Sequence, residues 1–385
     1  MATKFIADRM SKIPPSGTIN MFELALTLEK KGERVIHLEV GEPEFDTPSH
    51  IKKAAEDYLE KGYTHYTSSR GIYELRAAIS EDLADRGCFY NPEEILVTPG
   101  AKHAILCSLL SILNPGDRVI IPTPAWPTYH VIARMAGAHP INIQTDGLYE
   151  LNLDRIREAL TDKTKMIIIN SPNNPTGGVI DEGTMKGIAE IAEEKDLLVL
   201  SDEIYDKLVY DGFRQVSLPS IKGVKERTLL INGFSKTYAM TGWRLGYVAA
   251  EKYLIDNFLR IQQNSTTCPA SFAQFAAVKA LKTRTNDLEN MVRTYDNRRK
   301  LIVDLLNEIK GVSCDIPKGA FYVFPSYDYN IRSDVLAEEI LRKVKICTTP
   351  GSVFYSENHL RLSYAVSDSD IIEAMSRLKK FFSDM

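Results

Sequence analysis

Short runs of apolar residues alternate with stretches of helical periodicity between about residues 94 and 250. The runs are rich in β-branched residues and almost continuously apolar, which is typical of strands that are buried on both faces of a mainly parallel sheet. We predict strands at residues 95–98, 118–121, 166–170, 197–202, 228–232 and 245–250. Amphipathic segments such as residues 183–196 lie between several of them. This order predicts an α/β fold with crossover helices.

The pattern changes towards both ends of the chain. A long helix is predicted over residues 287–309, short apolar segments at 319–324 and 361–365, and a closing helix from about residue 368. This succession is typical of an α+β unit. We therefore predict a large domain of residues 46–284 and a small domain that combines residues 1–45 with residues 285–385.

Composition argues against several classes of protein. The 385 residues are 44% hydrophobic and 25% charged, as in ordinary soluble globular proteins, and no stretch approaches the roughly 18 apolar residues of a membrane span. The formal net charge of −4 argues against a nucleic-acid or anionic-membrane partner. The run Arg298-Arg299-Lys300 lies in a mixed-charge stretch and is predicted to be a solvated helix face.

The cysteines indicate a reducing compartment. The chain has five of them, and no pair has the spacing of metal ligands, so we predict no metal site. Their odd number, together with a start that lacks an apolar signal segment, predicts reduced thiols and a cytoplasmic protein.

Turn-forming and polar residues follow the predicted strands at the ends where ligands bind in doubly wound sheets. Pro99-Gly100-Ala101-Lys102 opens a helix, and a glycine turn at a helix N-terminus presents free N–H groups that suit a phosphate. A plain strand-to-helix turn is the alternative. Trp126 lies on the next such loop, where its ring can stack on a flat heterocycle or pack structurally. Asn174 lies in a turn-rich loop, where it can donate to a ring oxygen or serve the turn alone.

An amine, a carboxylate and a guanidinium follow the remaining strands. Asp202 ends one apolar run, Lys236 follows the next after a tight Gly233-Phe234-Ser235 segment, and Arg244 lies eight residues beyond it (244 minus 236). A buried carboxylate is costly without a cationic partner. Pyridoxal phosphate requires these three groups: an amine for a Schiff base, a carboxylate for the protonated ring nitrogen and an arginine for the phosphate.

Arg361 is a charge within a short apolar segment, His359-Leu360-Arg361-Leu362-Ser363-Tyr364-Ala365. Such a guanidinium needs a partner. A substrate carboxylate that it grips with two hydrogen bonds is one possibility. A structural ion pair with an aspartate or glutamate is the other.

These residues belong to motifs that extend over nearly the whole chain. They are Gly41-Glu42-Pro43-Glu44-Phe45-Asp46-Thr47-Pro48, Tyr66 through Gly71-Ile72-Tyr73-Glu74-Leu75-Arg76, Asn173-Asn174-Pro175-Thr176-Gly177, Ser201-Asp202-Glu203-Ile204-Tyr205, Ser235-Lys236 through Arg244-Leu245-Gly246, and Arg361-Leu362-Ser363-Tyr364-Ala365. The chain resembles the fold-type I, pyridoxal-phosphate-dependent aminotransferases of class I/II, in the branch of bacterial and archaeal aspartate and aromatic aminotransferases. The resemblance implies a mainly parallel, seven-stranded sheet in the large domain and a smaller α+β domain.

The resemblance also implies roles for individual residues. Catalysis is assigned to Lys236, Asp202 and Tyr205. Binding of the cofactor, pyridoxal 5'-phosphate, is assigned to Gly100, Ala101, Lys102, Trp126, Asn174, Asp202, Tyr205, Ser235, Lys236 and Arg244. Binding of the substrate is assigned to Gly41, Trp126, Asn174 and Arg361. Tyr66 is expected to reach the phosphate of the neighbouring subunit, which implies a homodimer.

The expected activity is transfer of the amino group of aspartate or aromatic amino acids to 2-oxoglutarate by a ping-pong mechanism. A β-lyase or a cyclopropane-forming synthase on the same fold is the alternative. A nucleotide-binding module is disfavoured because residues 98–102 do not form a G-x-G-x-x-G fingerprint. The helix after Lys102 offers no lysine for a distal carboxylate, and Ser16 and Thr18 are candidates for contacting a side chain. We therefore predict broad specificity for aspartate, glutamate and aromatic amino acids.

Overall fold

The computed structural model describes residues 5–15 and 17–385. Ser16 and the side chain of Thr18, which are candidates for a substrate contact, lie outside the described part. The α-helices of the described residues are α1 (Gly17–Glu29), α2 (Ser49–Glu60), α3 (Tyr73–Ala84), α4 (Ala101–Ile112), α5 (Thr128–Met135), α6 (Leu153–Ala159), α7 (Glu182–Glu194), α8 (Lys252–Gln263), α9 (Ser271–Lys282), α10 (Asp287–Asn307), α11 (Ser333–Val344) and α12 (Asp368–Ser383). Among these described helices, none has the length and apolar character needed to cross a membrane.

The strands are numbered in the same way along the described chain. They are β1 (Ile36–His37), β2 (Ile95–Thr98), β3 (Arg118–Thr123), β4 (His139–Gln144), β5 (Thr164–Asn170), β6 (Leu198–Asp202), β7 (Thr228–Gly233), β8 (Gly246–Ala249), β9 (Val312–Ser313), β10 (Tyr322–Val323), β11 (Ser326–Tyr327), β12 (Ile346–Cys347), β13 (Thr349–Pro350) and β14 (Leu360–Ser363).

Seven strands form the central sheet in the order β2-β8-β7-β6-β5-β3-β4. Strand β8 runs antiparallel to both of its neighbours, and every other neighbouring pair in this sheet is parallel. The prediction of an α/β fold with a mainly parallel, seven-stranded sheet is therefore confirmed.

The sequence prediction missed one strand of this sheet, β4. Its residues are mostly exposed or half-buried, and Pro140 lies within it. A proline is tolerated at a sheet edge because its missing N–H need not serve a second neighbour. The edge position explains why β4 lacks the continuous apolar pattern of the inner strands.

Helices cover both faces of the central sheet, which explains the apolar runs. Leu96, Leu229 and Ile231 pack on one face in a core that also contains residues of α4, α5 and α8. Val97 and Leu230, which alternate with them, pack on the other face with residues of α2, α3 and α9. Because consecutive side chains of a strand point to opposite faces, both sets must be apolar.

Residues near the two ends of the chain share a further core. It contains apolar side chains from α1, α10, α11 and α12, and also Tyr205 and Leu208 from the segment after β6. Strand β1 pairs in parallel with β12, and β14 lies between β10 and β13. The division into a large domain of residues 46–284 and a small domain of residues 1–45 and 285–385 stays a prediction.

The Arg298-Arg299-Lys300 run corrects one expectation from the sequence. Arg299 is fully buried in α10, so the run is not simply a solvated face. Its guanidinium donates to both carboxylate oxygens of Asp211, at 2.8 and 2.9 Å, and to the carbonyl of Pro317 at 2.7 Å. The helical period turns this middle residue inward, where a fork-shaped cation satisfies several acceptors at once.

Candidate active site

A cavity of about 470 Å³ opens at the carboxyl ends of the central strands. It contains every residue that was assigned to catalysis, cofactor binding or substrate binding except Gly100 and Tyr66. Its walls are formed by Phe22, Glu39, Val40, Gly41, Glu42, Ala101, Lys102, Trp126, Tyr129, Asn170, Asn174, Asp202, Ile204, Tyr205, Ser235, Lys236, Thr241, Arg244, Tyr322 and Arg361. The structure thus brings together residues that are far apart in the chain, at the edge where ligands bind in such sheets.

One wall of the cavity is formed by the start of α4 and by Arg244. Gly100 precedes α4 with a φ of +83°, and a Cβ there would lie 2.6 Å from Nη2 of Arg244. A Cβ on Gly246 would overlap the backbone nitrogen of Ala101. The first N–H groups of a helix have no partner within it, and they carry the positive end of the helix dipole. Gly100 lies directly behind this wall, although it does not line the cavity.

Arg244 and Ser235 complete that wall. Arg244 is exposed, and its Nη1 donates to the carbonyl of Thr241 at 2.8 Å. Its backbone has a φ of +55°, which is uncommon for a residue with a side chain. The other guanidinium donors of Arg244, the hydroxyl of Ser235 and the amides of α4 can together hold a phosphate group.

Asp202 lies at the end of β6 and is almost completely buried. One carboxylate oxygen accepts a hydrogen bond from the Tyr129 hydroxyl at 2.7 Å, and the other accepts one from the Ile204 amide at 3.2 Å. Burial raises the pKa of Asp202 to about 6, and the bond from Tyr129 acts against this rise. A cation in the cavity would favour the charged carboxylate.

Lys236 follows β7 and reaches into the same space. Burial is the main cause that lowers its pKa to about 8. Its ammonium donates to the carbonyl oxygen of Gly41. A Cβ on Gly41 would lie 2.6 Å from the Tyr322 hydroxyl, so a larger residue at position 41 would have to displace that tyrosine. A lysine with a lowered pKa has a larger fraction of the neutral, nucleophilic amine near neutral pH.

Arg361 is buried on β14 and has no carboxylate within ion-pair distance in residues 5–15 and 17–385. It donates to Oδ1 of Asn174 at 3.0 Å and to the carbonyl oxygen of Glu39, and its guanidinium lies 4.5 Å from the centre of the Tyr322 ring. Its Nε is buried without a partner. The structural ion pair considered as an alternative is therefore not found, and the guanidinium can bind an external carboxylate.

Aromatic groups surround the centre of the cavity. The hydroxyls of Tyr205 and Tyr322 are 2.8 Å apart, and the Trp126 ring meets the Tyr129 ring edge-on with 5.5 Å between centroids. The sequence analysis gave no role to Tyr129 or Tyr322. Tyr129 lies in the first turn of α5, and nothing in the local sequence marks it as a partner of Asp202. Tyr322 lies in the apolar segment of residues 319–324, where a tyrosine is expected to pack in a core.

Asn174 and Tyr66 differ in how the structure places them. The backbone N–H of Asn174 donates to the Asn170 side chain at 2.9 Å, so the loop after β5 is fixed by the end of that strand. Tyr66, in contrast, is 86% exposed and lies outside the cavity of its own chain. Its predicted contact with a neighbouring subunit stays a prediction.

Comparison with known proteins identifies the family to which this chain belongs. The family model of aminotransferase class I and II matches residues 33–378. The chain belongs to the class I and II aminotransferases. It is 41% identical to an aspartate aminotransferase of Pyrococcus abyssi over 97% of each chain, and 39% identical to aromatic-amino-acid aminotransferase 2 of Thermococcus litoralis over 98% of each. It also matches the structure of the Thermus thermophilus aspartate aminotransferase with maleate, with a TM-score of 0.93, 35% identity, and coverage of 98% and 99% of the two chains.

This aminotransferase therefore uses pyridoxal phosphate, the cofactor of its family. The cavity fits that group on grounds of its own geometry. The glycines at positions 100 and 246 let the Arg244 guanidinium and the start of α4 lie against neighbouring backbone, which brings an arginine and helix amides together at one wall. A buried carboxylate and a lysine with a lowered pKa lie deeper in the same cavity.

Proposed function

We propose that this aminotransferase moves the amino group of an amino acid to 2-oxoglutarate by a ping-pong mechanism. The observation that carries the proposal is the convergence of Lys236, Asp202 and Arg361 on one cavity. Each is a buried or partly buried ionisable group placed to contact a ligand. The proposed donors are aspartate, glutamate and aromatic amino acids, since its relatives include enzymes named for aspartate and for aromatic amino acids.

The cofactor is proposed to lie with its phosphate against the start of α4. The amides of Ala101 and Lys102, the Ser235 hydroxyl and the Arg244 guanidinium would hold the phosphate, and Gly100 would allow its approach. Three further contacts are proposed for the ring of the cofactor. Trp126 would stack on the ring, and Asp202 would accept a hydrogen bond from its nitrogen. Asn174 and Tyr205 would donate hydrogen bonds to its phenolic oxygen.

When bound, pyridoxal phosphate supplies a ring that accepts the electrons left on the substrate α-carbon after its proton is removed. Asp202 keeps the ring nitrogen protonated, because its charged form is stabilised by a cation at that position. Lys236 has two roles in the proposal. Its amine is the point of covalent attachment, and after substrate displaces it the same amine takes and returns the α-proton.

Arg361 is proposed to fix the α-carboxylate of the substrate. A fork of two hydrogen bonds orients the substrate so that its α-proton faces Lys236, which is a positioning effect. The carbonyl of Gly41 accepts a hydrogen bond from Lys236, and Gly41 lines the cavity, which supports its proposed place beside the substrate.

Specificity is proposed to be broad. The apolar residues of α4, such as Ile105 and Leu109, are buried in the core on one face of the central sheet, and no lysine lies among them. Phe22, Val40 and Tyr322 contribute apolar and aromatic surface to the cavity. This surface suits aromatic side chains, and relatives that act on aspartate indicate that a distal carboxylate is also accepted.

The test is steady-state kinetics with a panel of amino acids and 2-oxoglutarate as acceptor. Formation of glutamate and of the matching 2-oxo acid, with parallel lines in double-reciprocal plots, is the expected result. A preference for alanine of a hundredfold or more over aspartate, glutamate and the aromatic amino acids would contradict the proposed specificity. Release of pyruvate and ammonia without any glutamate would instead support the β-lyase alternative.

We also propose that the protein is a homodimer of the cytoplasm. The exposed Tyr66 hydroxyl would reach the phosphate in the neighbouring subunit, which would complete both sites. All five cysteines are free thiols, as is usual in a reducing compartment. Sedimentation of the cofactor-loaded protein as a monomer at micromolar concentration would contradict the dimer.

Tyr129→Phe is expected to weaken binding of the cofactor. The mutation removes the hydrogen bond to Asp202, and the pKa of that carboxyl rises further because the bond acts against the effect of burial. A hydrogen bond to a charged group contributes about 1.5–3 kcal/mol, so we expect the dissociation constant of pyridoxal phosphate to rise about tenfold to a hundredfold. Fluorescence titration of the apoprotein measures it.

Tyr90→Phe is the matched control, because the Tyr90 hydroxyl is buried without a hydrogen-bond partner on the opposite side of the sheet. Its removal should leave the dissociation constant unchanged. An equal effect of both substitutions would show that Tyr129 acts only through packing.

A further inference from the structure

His37 lies between two carboxylates next to the substrate cavity. Its Nδ1 is 2.8 Å from Glu39 Oε1, and its Nε2 is 3.2 Å from Glu29 Oε1. His37 and Glu39 are two residues apart and so lie on the same side of an extended segment, whereas Glu29 is the last residue of α1. None of the roles proposed above uses this triad.

Glu39 belongs both to the triad and to the wall of the cavity. The residue is 3% exposed, and its backbone carbonyl accepts a hydrogen bond from Nη2 of Arg361. Its Oε2 is buried without a hydrogen-bond partner, and so is Nε of Arg361. Glu39 thus contacts Arg361 through its backbone carbonyl, while its carboxylate lies at hydrogen-bond distance from His37 and keeps one oxygen unpaired.

Opposite charges that are buried together attract strongly unless another partner occupies one of them. If the Glu39 carboxylate turned towards Arg361, it would occupy the same fork that a substrate carboxylate needs. The imidazolium of His37 offers the Glu39 carboxylate a different cation at hydrogen-bond distance. The choice between these two partners would then decide whether Arg361 can accept a substrate.

We propose that His37 is a positioning residue that holds the Glu39 carboxylate away from Arg361 and so keeps Arg361 available for the substrate carboxylate. The inference rests on the proposed function of Arg361 and adds a residue that sets substrate affinity. His37 also packs against Phe22, with 5.9 Å between ring centroids, and Phe22 lines the cavity. The same histidine thus links α1 to the segment that contacts Arg361.

The arrangement has a defined dependence on pH. The hydrogen bond with Glu39 is the largest cause that raises the pKa of His37 to about 9, while burial opposes it and Glu29 adds to it. Because this pKa is raised above its ordinary value of 6.5, the charged triad is present at neutral pH and is lost as the pH rises through about 9. On β12, the neighbouring position to His37 is Cys347, a buried thiol whose pKa is raised by burial and also by the Glu39 carboxylate. Within the described residues, the charged groups at ion-pair distance from His37 are Glu29 and Glu39.

The test uses the cofactor-loaded enzyme and the variants His37→Gln, Glu39→Gln and the double variant. The probe is 3-phenylpropionate, a carboxylate without an amino group that cannot be turned over. At pH 7.5 we expect His37→Gln to raise its dissociation constant about tenfold, since only the fraction of molecules with a free Arg361 can bind. The KM for amino acids should rise in parallel while kcat changes less than about twofold.

The double variant separates positioning from structure. With glutamine at position 39 no carboxylate competes for Arg361, so the double variant should bind the probe about as tightly as the wild type. We expect probe binding by the wild type to weaken above about pH 9, and Glu39→Gln alone should not show this weakening. NMR titration of the His37 imidazole in the Glu39→Gln variant should give a pKa well below the wild-type value. His50→Gln is the control, because His50 is a half-buried histidine that faces Asp287 away from the cavity.

Two outcomes would overturn the inference: unchanged binding in His37→Gln, or a double variant as weak as His37→Gln. If His37→Gln does not fold, the pH profile of Glu39→Gln alone decides, and a profile equal to the wild type would contradict the inference. Absence of transamination by the wild-type enzyme with every amino acid would instead refute the proposed function. Normal transamination with unaffected His37 variants would refute only the role of His37.

Discussion

Replacing Lys236 by alanine is expected to abolish transamination while the fold survives. Lys236 is the one lysine that reaches the centre of the cavity from β7, where it contacts Gly41 within the described structure. The substitution removes the proposed point of covalent attachment and the proposed base that moves the α-proton. General base catalysis alone contributes about 10²–10⁴-fold, so we expect kcat to fall by at least about 10⁴-fold when both roles are lost. Stopped assays of glutamate formation measure this loss.

Mass spectrometry after borohydride reduction provides a second measurement for the same variant. The wild type should gain the mass of the reduced cofactor on the peptide that contains residue 236, and Lys236→Ala should gain none. Lys252→Ala is a suitable control because Lys252 is an exposed residue of α8 that pairs with Asp256. A fully active Lys236→Ala protein, or cofactor attached to a different lysine, would refute the proposed mechanism.

Replacing Arg361 by leucine is expected to give the second-largest loss. The guanidinium is buried without a carboxylate partner in the described residues, so its charge is available to a substrate. Losing one partner of a buried, hydrogen-bonded charge pair costs about 2–5 kcal/mol, which corresponds to a fall in kcat/KM of about 30-fold to several thousand-fold. Most of the change should lie in KM, and the covalently bound cofactor should remain. Steady-state kinetics and the absorbance of the bound cofactor test these two expectations together.

Arg361→Lys tests whether geometry or charge carries the effect. Lysine keeps the positive charge but lacks the planar fork, so this variant should recover only part of the activity lost in Arg361→Leu. Arg332→Leu is the control for the loss of an arginine, because Arg332 is an exposed residue that pairs with Asp334. Wild-type KM values in Arg361→Leu would show that another group binds the α-carboxylate.

The inner part of the fold and most of the cavity could be predicted because their signals are local. Strand β2 was predicted with its observed bounds, since its four residues are all buried and apolar or β-branched. The residues that follow such strands are recognisable because turns, glycines and charges interrupt an apolar pattern. Since the carboxyl ends of parallel strands lie at one edge, Asp202 and Lys236 were expected to be close before any contact was known.

The hydrogen-bond partners of the buried charged residues could not be predicted, because they come from distant parts of the chain. The partner of Asp202 is Tyr129, 73 residues away, and the partner of Arg361 is Asn174, 187 residues away. Nothing in a local pattern distinguishes a tyrosine that donates to a carboxylate from one that fills a core. The same limit applies to Arg299, whose charge is satisfied by Asp211 at a distance of 88 residues.

The antiparallel direction of β8 has a consequence for how the active site is assembled. Strand β7 ends, and β8 begins, at the same edge of the sheet, where Gly233 and Gly246 face each other across the pair. Residues 234–245 therefore form a hairpin connection whose two ends are held in place by the paired strands. Both Lys236 and Arg244 belong to this connection. A β8 that ran in the parallel direction would have required a crossover connection and would have started at the opposite edge. An insertion or deletion between residues 236 and 244 would therefore displace the Lys236 amine relative to the arginine that we propose as a phosphate ligand, so the proposed functions of these two residues are constrained to change together.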